Sequence, residues 1–175
     1  FGGSGHGTST HVQLTTRLAA GCASTAWCQF VWSVHNAMLA YYPQEAQEEV
    51  WDVPETLIAA SLGPVGKATP AEGGIRLSGQ RSFASGCDAA DWLLLGSVVE
   101  GPASEGKLLL CCVPKREVEI VDNWHVSGLK GTGSKNVAAQ EVFVPAHRAR
   151  PLQETLLMCF DLGIAVIAGP LVGAA

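Results

Sequence analysis

Charge is scarce in this sequence. Only 15% of its 175 residues are charged, against 47% that are apolar. That balance excludes a disordered chain and suggests surface meant for a partner domain or subunit. Basic residues are the fewer sign, 11 against 16 acidic, and no basic run stands out. The net charge of −5 therefore supplies no long-range field for nucleic acid or an anionic membrane. Any phosphate must be met by local contacts.

The sequence also lacks an initiator methionine, a charged segment leading into an apolar one at its start, internal repeats and low-complexity tracts. A secretory signal is not expected. The opening FGGSGHGTSTH, which begins at Phe1, and the abrupt apolar finish read as the cut ends of a longer chain. From Thr155 to Ala175 only Asp161 is charged, which approaches the length of a membrane span. Pro170 and three glycines favour a truncated buried helix instead. Cys22, Cys28, Cys87, Cys111, Cys112 and Cys159 are scattered except for the adjacent pair, which on a strand points to opposite faces. They read as reduced core thiols of a cytoplasmic protein.

What is present divides into three textures. Val12 to Tyr42 carries apolar residues at helical spacing, with Leu14, Leu18, Ala26, Phe30, Val34, Met38 and Tyr41 near one stripe and a break marked by Gly21 and Ser24. Pro43 ends this run and opens a short acidic helix reaching Trp51. Beyond Asp52 come short apolar or alternating runs between turn residues. Strands are predicted over 75–80, 92–99, 107–113, 118–122 and 136–144. Five or six strands in about ninety residues suit a small barrel or sandwich. After Pro145 helical texture returns, so the fold class is α+β.

Three blocks stand out: CASTAWCQFVWSVHNAMLAYYPQEAQEEVW, IRLSGQRSFASGCDAADWLLLG and DNWHVSGLKGTGSKNVAAQEVFVP. In this order they resemble the flavin-dependent monooxygenase branch of the acyl-CoA dehydrogenase fold, which includes the oxygenase components that hydroxylate p-hydroxyphenylacetate and secosteroid phenols. The resemblance covers almost the whole chain. It implies the end of an N-terminal helical domain over residues 1–51, a barrel-like middle β-domain over 52–145, and the start of a C-terminal helical bundle over 146–175. It also implies a homo-oligomer, a tetramer in this family, working with a separate NAD(P)H-dependent flavin reductase.

The resemblance assigns roles residue by residue. Ser85 matches the serine that hydrogen-bonds near flavin N5, although on local sequence alone it reads equally as a turn cap beside Gly86. Phe83 matches the ring that covers the isoalloxazine. His35, on an otherwise apolar helical face, matches the histidine facing the phenol hydroxyl; alone it reads as a hydrogen-bonded core histidine. Ser61 matches a residue of the substrate and flavin pocket at the first loop of the middle domain; Ser134, at the end of the glycine-rich turn, is a weaker candidate for a polar contact to flavin or on the substrate side.

Other polar residues read as structural. The G-L-K-G-T-G-S stretch lacks phosphate-loop spacing, so Gly128, Gly131 and Gly133 read as turn glycines. His125 and His147 read as structural, and His6 and His11 have no companion ligands for a metal. Asp88 and Asp91 read as a solvated strand edge. The family pattern S-G-x-D-H-A-D-W is here SGCDAADW, with Ala89 for the histidine.

The implied function is hydroxylation of a phenolic small molecule through C4a-hydroperoxyflavin, with reduced FMN or FAD as cofactor. S-L-G-P-V-G stands where dehydrogenases read T-E-P-x-A-G-S-D, which argues against an acyl-CoA substrate. The alternatives are an acyl-thioester dehydrogenase, a relative acting on an amine or sulfur heterocycle, and a fragment that binds flavin or partner chains without turnover.

Overall fold

The computed structural model describes residues 6–101 and 106–157 of the chain. Two helices, α1 (Thr8–Gly21) and α2 (Ala23–Leu39), are separated where the extended backbone of Cys22 interrupts the ladder, inside the expected break. A third, α3 (Gln44–Val50), begins after Pro43. In α2, Ala26, Phe30, Val34 and Met38 are all buried, as their four-residue spacing predicts. Leu14 and Tyr41 do not share that stripe and are 47% and 40% exposed. The inner face of α1 is instead Thr15 and Ala19, with the Thr15 hydroxyl bonded to the His11 carbonyl and the Gln29 side chain. A polar contact thus ties α1 to α2 where an apolar one was expected.

Seven strands follow: β1 (Ile58–Ala71), β2 (Gly74–Ala84), β3 (Trp92–Val99), β4 (Leu108–Pro114), β5 (Glu119–Val121), β6 (Lys135–Pro145) and β7 (Ala149–Pro151). They form one mixed sheet in the order β5-β6-β2-β1-β3-β4-β7, antiparallel throughout except for the parallel pair β1 and β3. One face carries Ile58, Ala60, Leu94, Leu110 and Cys112 against α2 and α3. The Tyr42 hydroxyl pins the end of the helical layer by donating to the Leu110 carbonyl at 2.8 Å.

The other face packs Ala59, Leu93, Leu95, Cys111 and Val113 with Val137, Val142 and Val144 of β6. Two strands separate β6 from β3, so a shared cluster requires the sheet to coil around this core. The coil is not closed: β5 and β7 are its edges among the described residues, where a barrel was expected from sequence.

Cys111 and Cys112 do face opposite sides, and burial pushes the Cys111 thiol up to about 12. Cys22 departs from the expected pattern by being exposed. Cys159 and residues 158–175 lie outside the described residues, so the reading of that apolar segment finds no structural counterpart. Among the described residues no helix is long and apolar enough to cross a membrane.

Candidate functional site

The site grows out of an irregularity in β1. Its pairing with β3 runs regularly to Ser61 opposite Leu95, then resumes only at Gly66 opposite Ser97. Residues 62–65 therefore bulge from the sheet, which explains why this strand reads as a loop in sequence. Gly96 permits the bulge, since a Cβ there would lie 2.4 Å from the Leu62 carbonyl oxygen. Arg81 braces it from beneath. Its fully buried guanidinium donates to the carbonyls of Gly96 and Gly79 at 3.0 Å each and to Ser97 Oγ at 2.7 Å.

Between this bulge and α2 lies a cavity of about 520 Å³. Trp27, Val31 and His35, one helical turn apart, form one wall. Ala60, Ser61, Leu62, Gly63 and Val65 form the second, and Ser82, Phe83 and Ser85 at the end of β2 the third. Four residues singled out in sequence, His35, Ser61, Phe83 and Ser85, thus converge on one space. Ser134 does not line it but bonds to Ser85 from behind at 2.7 Å. No Lys, Arg, Asp or Glu is among the described residues that line it.

The polar groups of the cavity are committed in a consistent way. His35 is buried, and its Nδ1 lies 3.0 Å from the Ile58 carbonyl, to which only a protonated nitrogen can donate. With the proton on Nδ1, Nε2 is left as an acceptor. Burial lowers the His35 pKa to about 4, so the ring is neutral near pH 7. The Ser61 hydroxyl donates to the Ser82 carbonyl at 2.7 Å, leaving lone pairs for the cavity. Ser85 Oγ receives the indole N–H of Trp27 at 3.1 Å.

Phe83 stands at the mouth at an energetic disadvantage twice over. Its φ is +64°, a conformation that costs a non-glycine residue about 1 kcal/mol or more, and its ring is 71% exposed. It meets Trp124 edge-on at 6.3 Å.

The remaining expectations fall outside the cavity. Asp91 accepts the Leu57 N–H at 2.9 Å, and Asp88 pairs with Lys135 at 3.1 Å. Ala89, which departs from the family pattern, is exposed and is not among the described lining residues. His147 sits within 3.6 Å of Glu45 and 3.3 Å of Glu49, tying α3 to the turn after β6. His6 and His125 are exposed, and the His11 ring meets the Gln29 amide at 3.2 Å. Of the three turn glycines only Gly133 has positive φ; Leu129 takes the other left-handed position. Sequence reasoning missed Trp27, Arg81 and Thr132. The first was legible as the start of the 27, 31, 35 stripe; Arg81 takes its role from partners 15 and 16 residues away, and Thr132 reaches the cavity through Ser134, whose partner Ser85 is 49 residues distant.

The buried histidine has a consequence for stability. In the unfolded chain His35 binds a proton near pH 6.5, in the folded chain only near 4, so between these values the unfolded state holds more protons. Folding stability should therefore fall as pH drops from 6.5 to 4, by about 3 kcal/mol from this group, and then level off. Denaturation midpoints across that window should fall less steeply in His35→Gln. Parallel curves for the two proteins would contradict the burial assigned to this ring.

No protein-family profile matches the sequence. The chain is 43% identical over 151 residues to the oxygenase component of an FADH2-dependent resorcinol hydroxylase from Rhizobium sp. (strain MTP-10005), covering 85% of this chain and 37% of that protein. Its structure superposes on the HsaA monooxygenase of M. tuberculosis with a TM-score of 0.89 and 33% identity, over 98% of this chain and 52% of that one. It also superposes on XiaF from Streptomyces sp., solved with FADH2 and glycerol, with a TM-score of 0.85 and 30% identity over 98% and 46% of the two chains. The chain thus spans about a third of the length of the curated relative and about half of the solved ones. The resemblance read from the three sequence blocks holds.

Proposed function

We propose that this chain contributes the flavin- and substrate-facing wall of a two-component aromatic monooxygenase, which hydroxylates a phenolic small molecule using reduced FMN or FAD from a separate reductase. The observation that carries this reading is the convergence of His35, Ser61, Phe83 and Ser85 on one largely apolar cavity. When bound, reduced flavin supplies the activation of molecular oxygen.

The residues fit such a group. A volume of about 520 Å³ lies within the usual range for small-molecule sites. Its hydrogen-bonding groups offer lone pairs, which suits the N–H of a reduced flavin ring and the O–H of a phenol. With no basic residue among the described lining residues, the cavity suits the ring system, and the phosphate is held elsewhere.

In this reading Ser85 accepts a hydrogen bond from the flavin ring near N5 and Phe83 covers the ring at the mouth. Apolar walls from Trp27, Val31 and Leu62 exclude water. His35, neutral and with Nε2 free, accepts the phenol proton in a hydrogen bond. This draws electron density into the ring and makes it the better nucleophile. A histidine held near pKa 4 is too weak a base to carry the phenol proton away fully, so its part is polarisation. Ser61 steadies the same region from the bulge. The reading also takes residues 1–51 as the end of a helical domain, 52–145 as a middle β-domain and 146–175 as the start of a further helical bundle, in a cytoplasmic homo-oligomer.

The test is direct. The chain is supplied with reduced FMN or FAD, oxygen and a panel of simple phenols, and products are read by mass spectrometry. Ring-hydroxylated product carrying oxygen from labelled O2 is expected. Flavin binding without any oxygen transfer across the panel would overturn the activity while leaving the binding site standing.

A further inference from the structure

Behind Ser85 runs a chain of hydroxyls whose direction can be read by counting donors. Leu129, held at positive φ, turns its carbonyl inward to accept the Thr132 hydroxyl at 2.9 Å, the Thr132 N–H at 3.1 Å and the Trp124 indole N–H at 3.3 Å. A carbonyl cannot donate, so the single hydroxyl proton of Thr132 points at Leu129. Thr132 Oγ1 also lies 2.8 Å from Ser134 Oγ, and having spent its proton it must accept there. Ser134 therefore donates to Thr132, and its 2.7 Å contact with Ser85 must be accepted from Ser85. The Trp27 indole N–H closes the count at the other end, because it donates into Ser85 and cannot receive the Ser85 proton.

We infer that Ser134 and Thr132 are positioning residues which, through a one-way relay Ser85→Ser134→Thr132→Leu129 carbonyl, hold the Ser85 proton away from the cavity and so make Ser85 an obligate acceptor. The relay is built into buried structure. Thr132 and Ser134 are 2% and 6% exposed, and the Thr132 and Gly133 carbonyls receive the thiols of Cys28 and Cys87. The turn is also joined to Ser85 directly, since the Gly86 N–H donates to the Thr132 carbonyl at 2.8 Å.

An obligate acceptor discriminates between guests. A ring nitrogen carrying hydrogen finds a partner at Ser85, whereas one presenting a lone pair faces another lone pair. Resting on the flavin reading above, the relay therefore favours the reduced ring, whose N5 bears hydrogen, over the oxidised ring, whose N5 does not. Ser85 achieves this only while its own proton is engaged behind it.

The experiment compares anaerobic equilibrium binding of dithionite-reduced FMN with aerobic binding of FMN to the chain and to three variants. In Ser134→Ala the Ser85 proton loses its acceptor, and in Thr132→Val the Ser134 hydroxyl is released to donate into Ser85 and turn the Ser85 proton toward the cavity, so in both the preference for reduced over oxidised FMN should shrink by about tenfold. Thr132→Ser keeps the hydroxyl and should behave as the parent. If the parent binds neither form, the flavin reading fails. If it binds FMN but the preference is the same in all four proteins, or Thr132→Ser changes as Thr132→Val does, the flavin reading survives and the relay is wrong.

Discussion

Replacing Arg81 with alanine is expected to lower the folding free energy by about 3–5 kcal/mol, among the largest effects a single residue in this chain can have. Three costs combine. The Gly96 carbonyl and Ser97 hydroxyl lose their buried donors, the Gly79 carbonyl loses a third, and a void opens under the bulge. Burial pushes the Arg81 pKa down, and its hydrogen-bond partners are neutral oxygens, so the side chain acts as a fork of donors spanning β2 and β3.

Because a Cβ on Gly66 would lie 1.9 Å from the guanidinium, Gly66→Ala should also destabilise the parent. In the Arg81→Ala background it should cost much less, since the clash is gone. Urea denaturation of the four proteins would show this coupling. Additive losses, or an Arg81→Ala loss below about 1 kcal/mol, would remove Arg81 as the brace of the site.

The second large effect is chemical. Ser85→Ala should weaken reduced-flavin binding by no more than about tenfold, while hydrogen peroxide release, in place of hydroxylated product, becomes about tenfold to a hundredfold faster. That corresponds to losing one hydrogen bond of roughly 1–3 kcal/mol in a dry site. His35→Ala should differ, slowing hydroxylation without releasing more peroxide, because its Nε2 is proposed to face the phenol. Oxygen consumption, peroxide and product measured together separate the two. If both variants partition oxygen like the parent, neither residue has the role proposed.

The helical layer and most of the sheet could be read from sequence because their signals are local. The 26, 30, 34, 38 spacing put α2 on the sheet, and β3 was bounded at Trp92 and Val99 by its apolar run. β1 was hidden because Gly63, Pro64 and Gly66 carry turn chemistry, and what makes the residues on either side of the bulge a strand is pairing with β3 more than thirty residues later. β7 is three residues long and is defined only by its pairing with β4. Sheet closure was not legible either, since the coil is set by which strands cluster beneath it.

The candidate site divides in the same way. Of the cavity-lining polar residues His35, Ser61 and Ser85 were reached through the resemblance and Ser82 was not, and the α2 stripe supports His35 by spacing alone. Arg81 sits among residues that read as an ordinary strand, where an arginine suggests a solvent face. Its guanidinium occupies the space left by the missing side chain of Gly66, which no local pattern reveals. The relay through Thr132 and Ser134 was hidden inside a glycine-rich turn, and its direction depends on a strained Leu129 carbonyl.

The central claim is that reduced flavin sits between α2 and the β1 bulge, and Gly63 offers the most direct way to test it. It lines the cavity, a Cβ there meets nothing within 4 Å, and its φ is not in the left-handed region, so the backbone accepts a side chain at this position and Gly63→Trp adds bulk beside the cavity. Anaerobic titration with reduced FMN should give saturable one-to-one binding to the parent and at least about tenfold weaker binding to Gly63→Trp, with the thermal unfolding midpoint unchanged. Equal binding by the two proteins, with folding intact in both, would place the flavin elsewhere and contradict the account.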